Sequence, residues 1–237
     1  MPTDPPAPSK SPAKAQGIVI AIDGPAGAGK STVARALASR LGFFLLDTGA
    51  IYRAVALAAE RAGVPFTDGA GLGELAARLQ IRFDPEGRVW LGDEDVSAAI
   101  RTPEMSQGAS TVSAHPEVRD ALLELQRRLA RSGGCVVEGR DIGTVVLPWA
   151  PVKVFLTASL QVRAQRRYDE LKGRGAEVDF DATLRELAER DHRDSTRQAA
   201  PLRQAPDAVP VDTSGLTQPE VVDRLEALAR AAISLDP

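Results

Sequence analysis

Residues 21–32 read AIDGPAGAGKST, a glycine-rich run that lies directly behind an apolar stretch at 18–20. The run matches the phosphate-loop pattern G-x-x-x-x-G-K-[ST] at every fixed position, with an apolar strand pattern before it and a helical pattern after it. Glycines let backbone N–H groups converge on phosphate oxygens, while a lysine reaches the β- and γ-phosphates and a serine hydroxyl binds Mg²⁺. The candidate nucleotide-binding residues are Gly24, Pro25, Ala26, Gly27, Ala28, Gly29, Lys30, Ser31 and Thr32, with Ser31 as the metal ligand.

The order strand, glycine loop, helix, followed by repeated alternation, predicts an α/β fold in which helices flank a parallel sheet. Four of the five candidate core strands are continuous apolar runs, as expected for strands buried on both faces. The predicted strands cover 17–22, 43–46, 135–138, 152–156 and 208–211. Apolar residues at three- and four-residue spacing predict helices over 30–40, 50–62, 116–131, 160–171, 181–191 and 218–232.

Two segments depart from this alternation. Residues 79–97 carry a turn signal, DPEG, between short β-prone runs, which predicts a small antiparallel hairpin or three-stranded piece. Residues 163–179 form a cationic helix that leads to a Gly-Arg-Gly break, a pattern typical of a mobile flap that closes over anions. A solvated helix with a flexible turn is the alternative interpretation of this charged run.

Composition narrows the functional classes. The net charge is −3, which favours neither nucleic acid nor an anionic membrane as a partner. A single cysteine, Cys135, excludes an internal disulfide and a thiolate metal cluster. The sequence contains no run of eighteen apolar residues, and the proline-rich residues 1–16 lack the apolar core of a signal peptide. We therefore expect a cytoplasmic protein without nucleic-acid or membrane partners, with residues 1–16 as a disordered tail.

The phosphate loop predicts a nucleotide but leaves the reaction open. A GTPase switch would carry an N-K-x-D guanine-reading motif, and none is present. An ATPase motor would show a long apolar strand that ends in Asp-Glu, whereas the nearest run, CVVEGRD, continues with Gly-Arg. Phosphoryl transfer to a small acceptor is therefore the favoured reaction class.

Five motifs in order make the chain recognisable: IDGPAGAGKST, LLDTGAIYR, EGRDIGTVV, APVKVFL and RDHRDSTRQAAPL. Together they closely resemble the bacterial cytidylate kinases, a family of P-loop nucleoside monophosphate kinases, from about residue 17 to the C-terminus. The resemblance implies a single kinase domain over 17–237, with a core at 17–48, 115–158 and 198–237. It further implies a CMP-binding excursion with a small antiparallel sheet at 49–114 and an arginine-bearing helical lid at 159–197, on a five-stranded parallel sheet.

The resemblance also assigns the acceptor site and the lid. The implied CMP-binding residues are Thr48, Tyr52, Arg53, Ser110, Arg119, Arg140, Asp141, Arg190, Asp194 and Arg197. The lid arginines expected to approach the ATP phosphates are Arg163, Arg166 and Arg167, although the sequence does not show which of them makes contact. The candidate catalytic residues are Lys30, Arg140, Asp141 and Arg167.

Elementary chemistry supports these assignments. Transfer of a phosphoryl group to another phosphate brings two polyanions together, so positive charge is needed at both ends and across the transferred group. Arg140 directly follows a predicted buried strand, at the carboxyl edge of the sheet where such folds bind ligands. Asp141 can accept a hydrogen bond from the exocyclic amine of cytosine, and Asp194 suits a ribose hydroxyl.

The sequence therefore predicts a monomeric, Mg²⁺-dependent kinase that transfers the γ-phosphoryl group of ATP to CMP or dCMP in pyrimidine nucleotide metabolism. One alternative is another P-loop small-molecule kinase, such as a UMP/CMP or shikimate kinase, which the combined acceptor motifs disfavour. A nucleotide-dependent switch or binding module is the alternative from another class. The absence of a base-reading motif and the acceptor-side arginines disfavour that alternative.

Overall fold

A computed structural model of the chain describes residues 18–131 and 134–235. The strands are β1 (Val19–Asp23), β2 (Phe44–Asp47), β3 (Ile81–Phe83), β4 (Val89–Leu91), β5 (Glu94–Asp95), β6 (Cys135–Gly139), β7 (Val152–Thr157) and β8 (Val209–Asp212). The α-helices are α1 (Lys30–Leu41), α2 (Thr48–Ala62), α3 (Gly69–Arg78), α4 (Pro103–Val112), α5 (Pro116–Ala130), α6 (Leu160–Gly173), α7 (Phe180–Thr196) and α8 (Gln218–Leu235). The predicted tail, 1–16, lies outside the described residues.

The main sheet has five parallel strands in the order β2-β6-β1-β7-β8. Strand β1 lies at its centre, and Ile20, Ala21 and Ile22 have no solvent-accessible surface. Alternate residues of β1 face opposite cores: Ala21 packs with α2 and α5, whereas Ile20 and Ile22 pack with α1 and α8. The predicted parallel α/β fold is therefore confirmed, and the three central strands, β6, β1 and β7, are the ones buried on both faces.

The parallel direction brings the carboxyl ends of the strands to one edge of the sheet. The phosphate loop follows β1 there, α2 begins directly after β2, and Arg140 and Asp141 follow β6. Ligands of open α/β sheets bind at this edge, because the loops that leave neighbouring strands diverge and open a crevice. Motifs that are about a hundred residues apart in the sequence thus face one another.

The predicted small sheet is also confirmed. Strands β3, β4 and β5 pair antiparallel, with the DPEG turn between β3 and β4. Helices α3 and α4, which precede and follow this sheet along the chain, were not predicted from the sequence. Helix α3 contains glycines at positions 69, 71 and 73, and glycine has a low intrinsic helix propensity. Its stability comes instead from the Asp68 N-cap and from packing along α5.

Helices α6 and α7 pack against each other beside the phosphate loop. The segment interpreted as a flap, 163–179, comprises most of α6 and the loop that leads into α7. Within the described residues, none of the helices combines the length and the apolar character needed to cross a membrane.

Candidate active site

A cavity of about 580 Å³ lies at the carboxyl edge of the main sheet. The phosphate loop forms one end of it, α2 and α5 form the other, and α6 and α7 close one side. Eleven lysine and arginine side chains and five carboxylates line the cavity, which gives it a formal charge of +6. A cavity with this excess of fixed positive charge is suited to a highly charged anion, or to two anions bound together.

Lys30 lies at the phosphate-loop end. Its side chain is buried, and Nζ donates a hydrogen bond to the carbonyl of Pro25 at 2.6 Å. Burial, together with the nearby positive charge of Arg140, lowers the pKa of Lys30 well below its usual value. An anionic ligand in the cavity would offset both effects, because it restores a favourable environment for the ammonium ion.

Ser31 faces a carboxylate that the sequence analysis did not include among the site residues. Its Oγ donates to Oε2 of Glu138, the penultimate residue of β6, at 2.9 Å. The other oxygen of Glu138, Oε1, is buried and has no hydrogen-bond partner among the described residues. Burial and the neighbouring carboxylate of Asp47 raise the pKa of Glu138 to about 7. A hydroxyl beside an underused carboxylate is a donor set that suits Mg²⁺.

Asp141 organises the opposite end of the cavity. Arg119 donates to Oδ2 of Asp141, and Nη2 of Arg197 lies 3.5 Å from Oδ1. The guanidinium carbon of Arg119 also lies 5.5 Å from the ring centroid of Tyr52. Ser110 Oγ, which is buried in the cavity wall, has no partner within the part of the chain that is described. This end therefore presents oriented donors, one carboxylate and an aromatic face to a planar polar ligand.

Further ion pairs connect the two ends. Nε of Arg140 lies 3.0 Å from Oδ2 of Asp194, and Nη2 of Arg53 lies 2.7 Å from Oδ2 of Asp47. Arg190 is held among other cations, and burial followed by the charge of Arg140 lowers its pKa to about 10. These carboxylates orient the arginines and reduce their mutual repulsion without removing the excess of positive charge.

A second cavity, of about 250 Å³, adjoins the phosphate loop on its other side. Its walls are largely apolar, with Val33, Leu216 and Val221, and Gln218 supplies an amide. The guanidinium of Arg166 donates to the side chain and the carbonyl of Thr213 and is thereby held at the border of both cavities.

Sequence comparisons agree with this geometry. A sequence model of the cytidylate kinase family matches residues 20–231. A cytidylate kinase of Geobacter sulfurreducens is 53% identical over 218 residues, which cover 91% of this chain and 94% of the relative. A cytidylate kinase of Mycobacterium avium is 52% identical over 217 residues, covering 90% and 95% of the two chains. The chain belongs to the cytidylate kinase family.

A structure comparison supports the fold alone. A solved structure of an uncharacterized protein from Eubacterium ventriosum is 15% identical, covers 91% of this chain and 99% of that chain, and has a TM-score of 0.50. The cytidylate kinase family is thus assigned by sequence.

The main cavity brings together most of the site residues that the sequence analysis named. Those that line it are Ala26, Gly27, Gly29, Lys30, Ser31, Thr32, Thr48, Tyr52, Arg53, Ser110, Arg119, Arg140, Asp141, Arg166, Arg167, Arg190, Asp194 and Arg197. Ala28 lines the second cavity instead. Gly24, Pro25 and Arg163 line neither cavity.

Several lining residues were absent from the sequence-based set: Arg35, Asp47, Arg101, Glu138, Glu170 and Arg174. Asp47 and Glu138 carry a usable signal, because each is an acid at the end of an apolar strand in a fold that binds ligands at that edge. The three arginines carry no such signal, since a surface helix or loop shows the same composition.

Arg163 differs from the expectation that it approaches ATP. Its guanidinium is buried and donates to the carbonyl of Ala158 at 2.9 Å and to that of Ala26 in the phosphate loop at 3.1 Å. It also lies 2.6 Å from the carboxylate of Asp191 on α7. Arg163 therefore joins α6, α7 and the back of the phosphate loop, where its contacts leave it turned away from the cavity.

We expect Arg163→Met to lower the free energy of unfolding by about 3 kcal/mol, because it leaves the Asp191 carboxylate and two carbonyls without their donor. Denaturant titration measures the change. Arg167→Met is the matched control on the same helix and should cost less than about 1 kcal/mol, since its ion pair with Glu170 is partly exposed, with 29% and 44% of the two side chains accessible. Adding Asp191→Asn to Arg163→Met should recover part of the loss. Equal costs for the two arginine variants would contradict a structural role for Arg163.

Proposed function

We propose that the protein transfers the γ-phosphoryl group of ATP to CMP or dCMP, giving ADP and CDP or dCDP. The observation that carries this proposal is one cavity with a phosphate loop at one end and the Arg119–Asp141–Arg197 cluster at the other. Two nucleotides bound at these ends would meet between Lys30 and Arg140. Membership of the cytidylate kinase family supports the same acceptor.

Acceptor recognition follows from the groups at the Asp141 end. Cytosine presents an amine donor beside a ring nitrogen and a carbonyl, and the Asp141 carboxylate accepts from the amine. Arg119 and the hydroxyl of Ser110 address the acceptor atoms of the ring. Uracil carries a carbonyl in place of the amine, which would face the carboxylate unfavourably. The arrangement thus selects against uracil by repulsion as well as by loss of a hydrogen bond.

The ribose and the acceptor phosphate are assigned to the ion pairs between the two ends. Asp194 accepts from a ribose hydroxyl, and Arg53 binds the phosphate bidentately, as guanidinium groups do. The donor phosphates contact the backbone of the phosphate loop, with Lys30 on the β- and γ-phosphates. Arg166 and Arg167 of α6 complete the donor end. The second cavity, bordered by Arg166 and Gln218, accommodates the adenine base.

The transfer itself needs no general base, because the acceptor phosphate oxygen is already ionised. The protein instead places the two phosphates in line and stabilises the charge that spreads over the transferred group. Arg140 and Lys30 contribute this stabilisation from opposite sides. Closure of the lid helices over the donor excludes water, which would otherwise compete as the acceptor.

Ser31 and Glu138 would hold the Mg²⁺ that accompanies ATP. Among the described residues there is no group of three or more acids, histidines or cysteines that could hold a metal ion by itself. Mg²⁺ characteristically combines one or two protein ligands with substrate phosphates and waters, and the unpartnered Glu138 Oε1 fits such an arrangement. The ion would supply positive charge that partly neutralises the donor phosphates.

The cysteine content bears on the compartment in which the protein acts. The single cysteine favours a reducing compartment, so we propose that the protein acts in the cytoplasm in pyrimidine nucleotide metabolism. We likewise propose a monomer, because one chain supplies both the donor and the acceptor end of the cavity.

Substrate selectivity tests the proposal directly. With ATP and Mg²⁺, CMP and dCMP should support the fastest ADP release in a panel that also contains UMP, AMP and shikimate. UMP should have a kcat/KM lower by at least about tenfold, because it loses one charge-assisted hydrogen bond and gains a repulsive contact. Fast turnover of AMP or shikimate, or none with CMP, would exclude the assignment.

We expect Arg140→Ala to lower kcat by about a hundredfold or more, since the variant removes charge stabilisation that develops in the transition state. Initial rates of ADP formation at saturating ATP and CMP measure the effect. Arg128→Ala, which removes an exposed arginine of α5 that does not line the cavity, is the control. A kcat within about twofold of wild type would show that Arg140 has no part in the transfer.

Glu138→Gln tests the metal site. The amide retains a hydrogen bond to Ser31 but removes the negative charge, so the Mg²⁺ concentration for half-maximal rate should rise by about tenfold or more. Titrating Mg²⁺ at fixed ATP provides the measurement. Glu74→Gln, an exposed substitution on α3, should leave the titration unchanged. A reduced kcat with an unaltered Mg²⁺ midpoint would assign Glu138 a role other than metal binding.

A further inference from the structure

Asp23 is a buried carboxylate that none of the roles above uses. It is the last residue of β1, directly before the phosphate loop, and only 4% of its surface is exposed. Its two carboxylate oxygens accept hydrogen bonds from the backbone N–H groups of Ile142 and Gly143, each at 2.8 Å. One carboxylate therefore bridges the beginning of the donor loop and the segment that carries Arg140 and Asp141.

The two N–H groups belong to a sharp change of chain direction. Strand β6 ends at Gly139, whose Cα pairs with that of Asp23, and a single π-helical turn occupies Ile142–Val146. The carbonyl of Asp141 accepts from the N–H groups of Val145 and Val146 at the other side of this turn. The first N–H groups of a helical turn have no partner within it, so Asp23 caps this turn from a neighbouring strand.

Burial of the charged Asp23 side chain costs free energy. Burial, opposed by the two backbone hydrogen bonds, raises the pKa of Asp23 to about 6, and the charge of Asp141 adds to this effect while Lys30 counteracts it. A neutral side chain would avoid this desolvation but could not offer two equivalent acceptors to two parallel N–H groups. Asp23 thus fixes the positions of two backbone N–H groups, although burial of its carboxylate is itself unfavourable.

We propose that Asp23 is a positioning residue for the acceptor nucleotide. By fixing the backbone at Ile142 and Gly143, it sets where the preceding Arg140 and Asp141 side chains lie relative to the phosphate loop. A displacement of about 1 Å at a catalytic group reduces rates by up to a hundredfold, so the bridge affects turnover without any contact to substrate. This inference rests on the proposed function, because Asp141 and Arg140 matter here through CMP.

Substitution of Asp23 should weaken the binding of CMP much more than the binding of ATP. Asp23→Asn keeps one acceptor and loses the other, and Asp23→Ala loses both. The KM for CMP should rise by about tenfold in the first variant and further in the second, and kcat should fall because Arg140 is displaced together with Asp141, while the KM for ATP stays within about twofold. The preference for CMP over UMP should fall in parallel, since it depends on the position of Asp141.

Kinetics are measured at least about 20 °C below each variant's unfolding midpoint, so that global unfolding does not contribute to the result. Asp68→Asn is the matched control, because Asp68 also accepts a backbone N–H group, that of Gly71, but in an exposed cap outside the cavity. Gly143→Ala disturbs the same segment without changing the carboxylate, since a Cβ there would lie 3.1 Å from Cδ of Lys153, a tight contact, and 3.4 Å from Oδ2 of Asp23, an ordinary one. It should raise the CMP KM in the same direction if the Asp23 variants fail to fold.

The possible results distinguish failure of the proposed function from failure of the role assigned to Asp23. A wild-type protein without CMP turnover would overturn both the proposed function and this inference. Normal wild-type turnover with parallel increases in the KM for CMP and for ATP, or with a lower unfolding midpoint and unchanged kinetics, would overturn the role of Asp23 alone. An acceptor-specific rise in KM with reduced discrimination against UMP, absent in Asp68→Asn, supports it.

Discussion

Electrostatic repulsion between two phosphate-bearing substrates is the constraint on which the site depends. Two polyanions can meet only where fixed positive charge outweighs the charge of the protein's own carboxylates, and eleven basic side chains against five acids provide that excess. The same cations repel one another when no substrate is present. Burial and neighbouring arginine charge accordingly lower the pKa values of Lys30 and Arg190. The cavity therefore stores unfavourable electrostatic energy that anionic substrates relieve.

The carboxylates of the site orient the arginine side chains. Asp141 lies between Arg119 and Arg197, Asp194 pairs with Arg140, and Asp47 pairs with Arg53, so each acid holds an arginine in one orientation. Arginines held in this way do not have to be ordered when the substrate binds, which reduces the entropic cost of binding. Asp141 and Asp194 have a second chemical use, because a carboxylate can also accept from the amine of cytosine or from a ribose hydroxyl.

The sequence predicts this molecule best where one local rule determines the structure. Apolar runs, four of them continuous, correctly predict the five strands of the main sheet, and the phosphate-loop pattern predicts the loop that follows β1. Helix α3 was missed because its glycines oppose a helix that only tertiary packing stabilises. Arg163 could not be separated from Arg166 and Arg167, since all three belong to one cationic run and only the packing of α6 decides which of them faces inward. Glu138 was visible as a strand-terminal acid, but its pairing with Ser31 spans 107 residues.

Two glycines of the phosphate loop are needed for packing inside the protein as well as for phosphate binding. A Cβ at Gly24, where φ is +149°, would lie 2.0 Å from the carbonyl oxygen of Leu156, so this glycine permits the loop to pass β7. A Cβ at Gly27 would lie 3.0 Å from the Cβ of Arg163, so that glycine permits α6 to pack closely on the loop. Asp23 and Arg163 then connect the loop to the acceptor segment and to the lid helices. The loop and the residue before it thus contact β7, the acceptor segment and the lid helices, so the geometry of the loop would set the distance between two bound nucleotides.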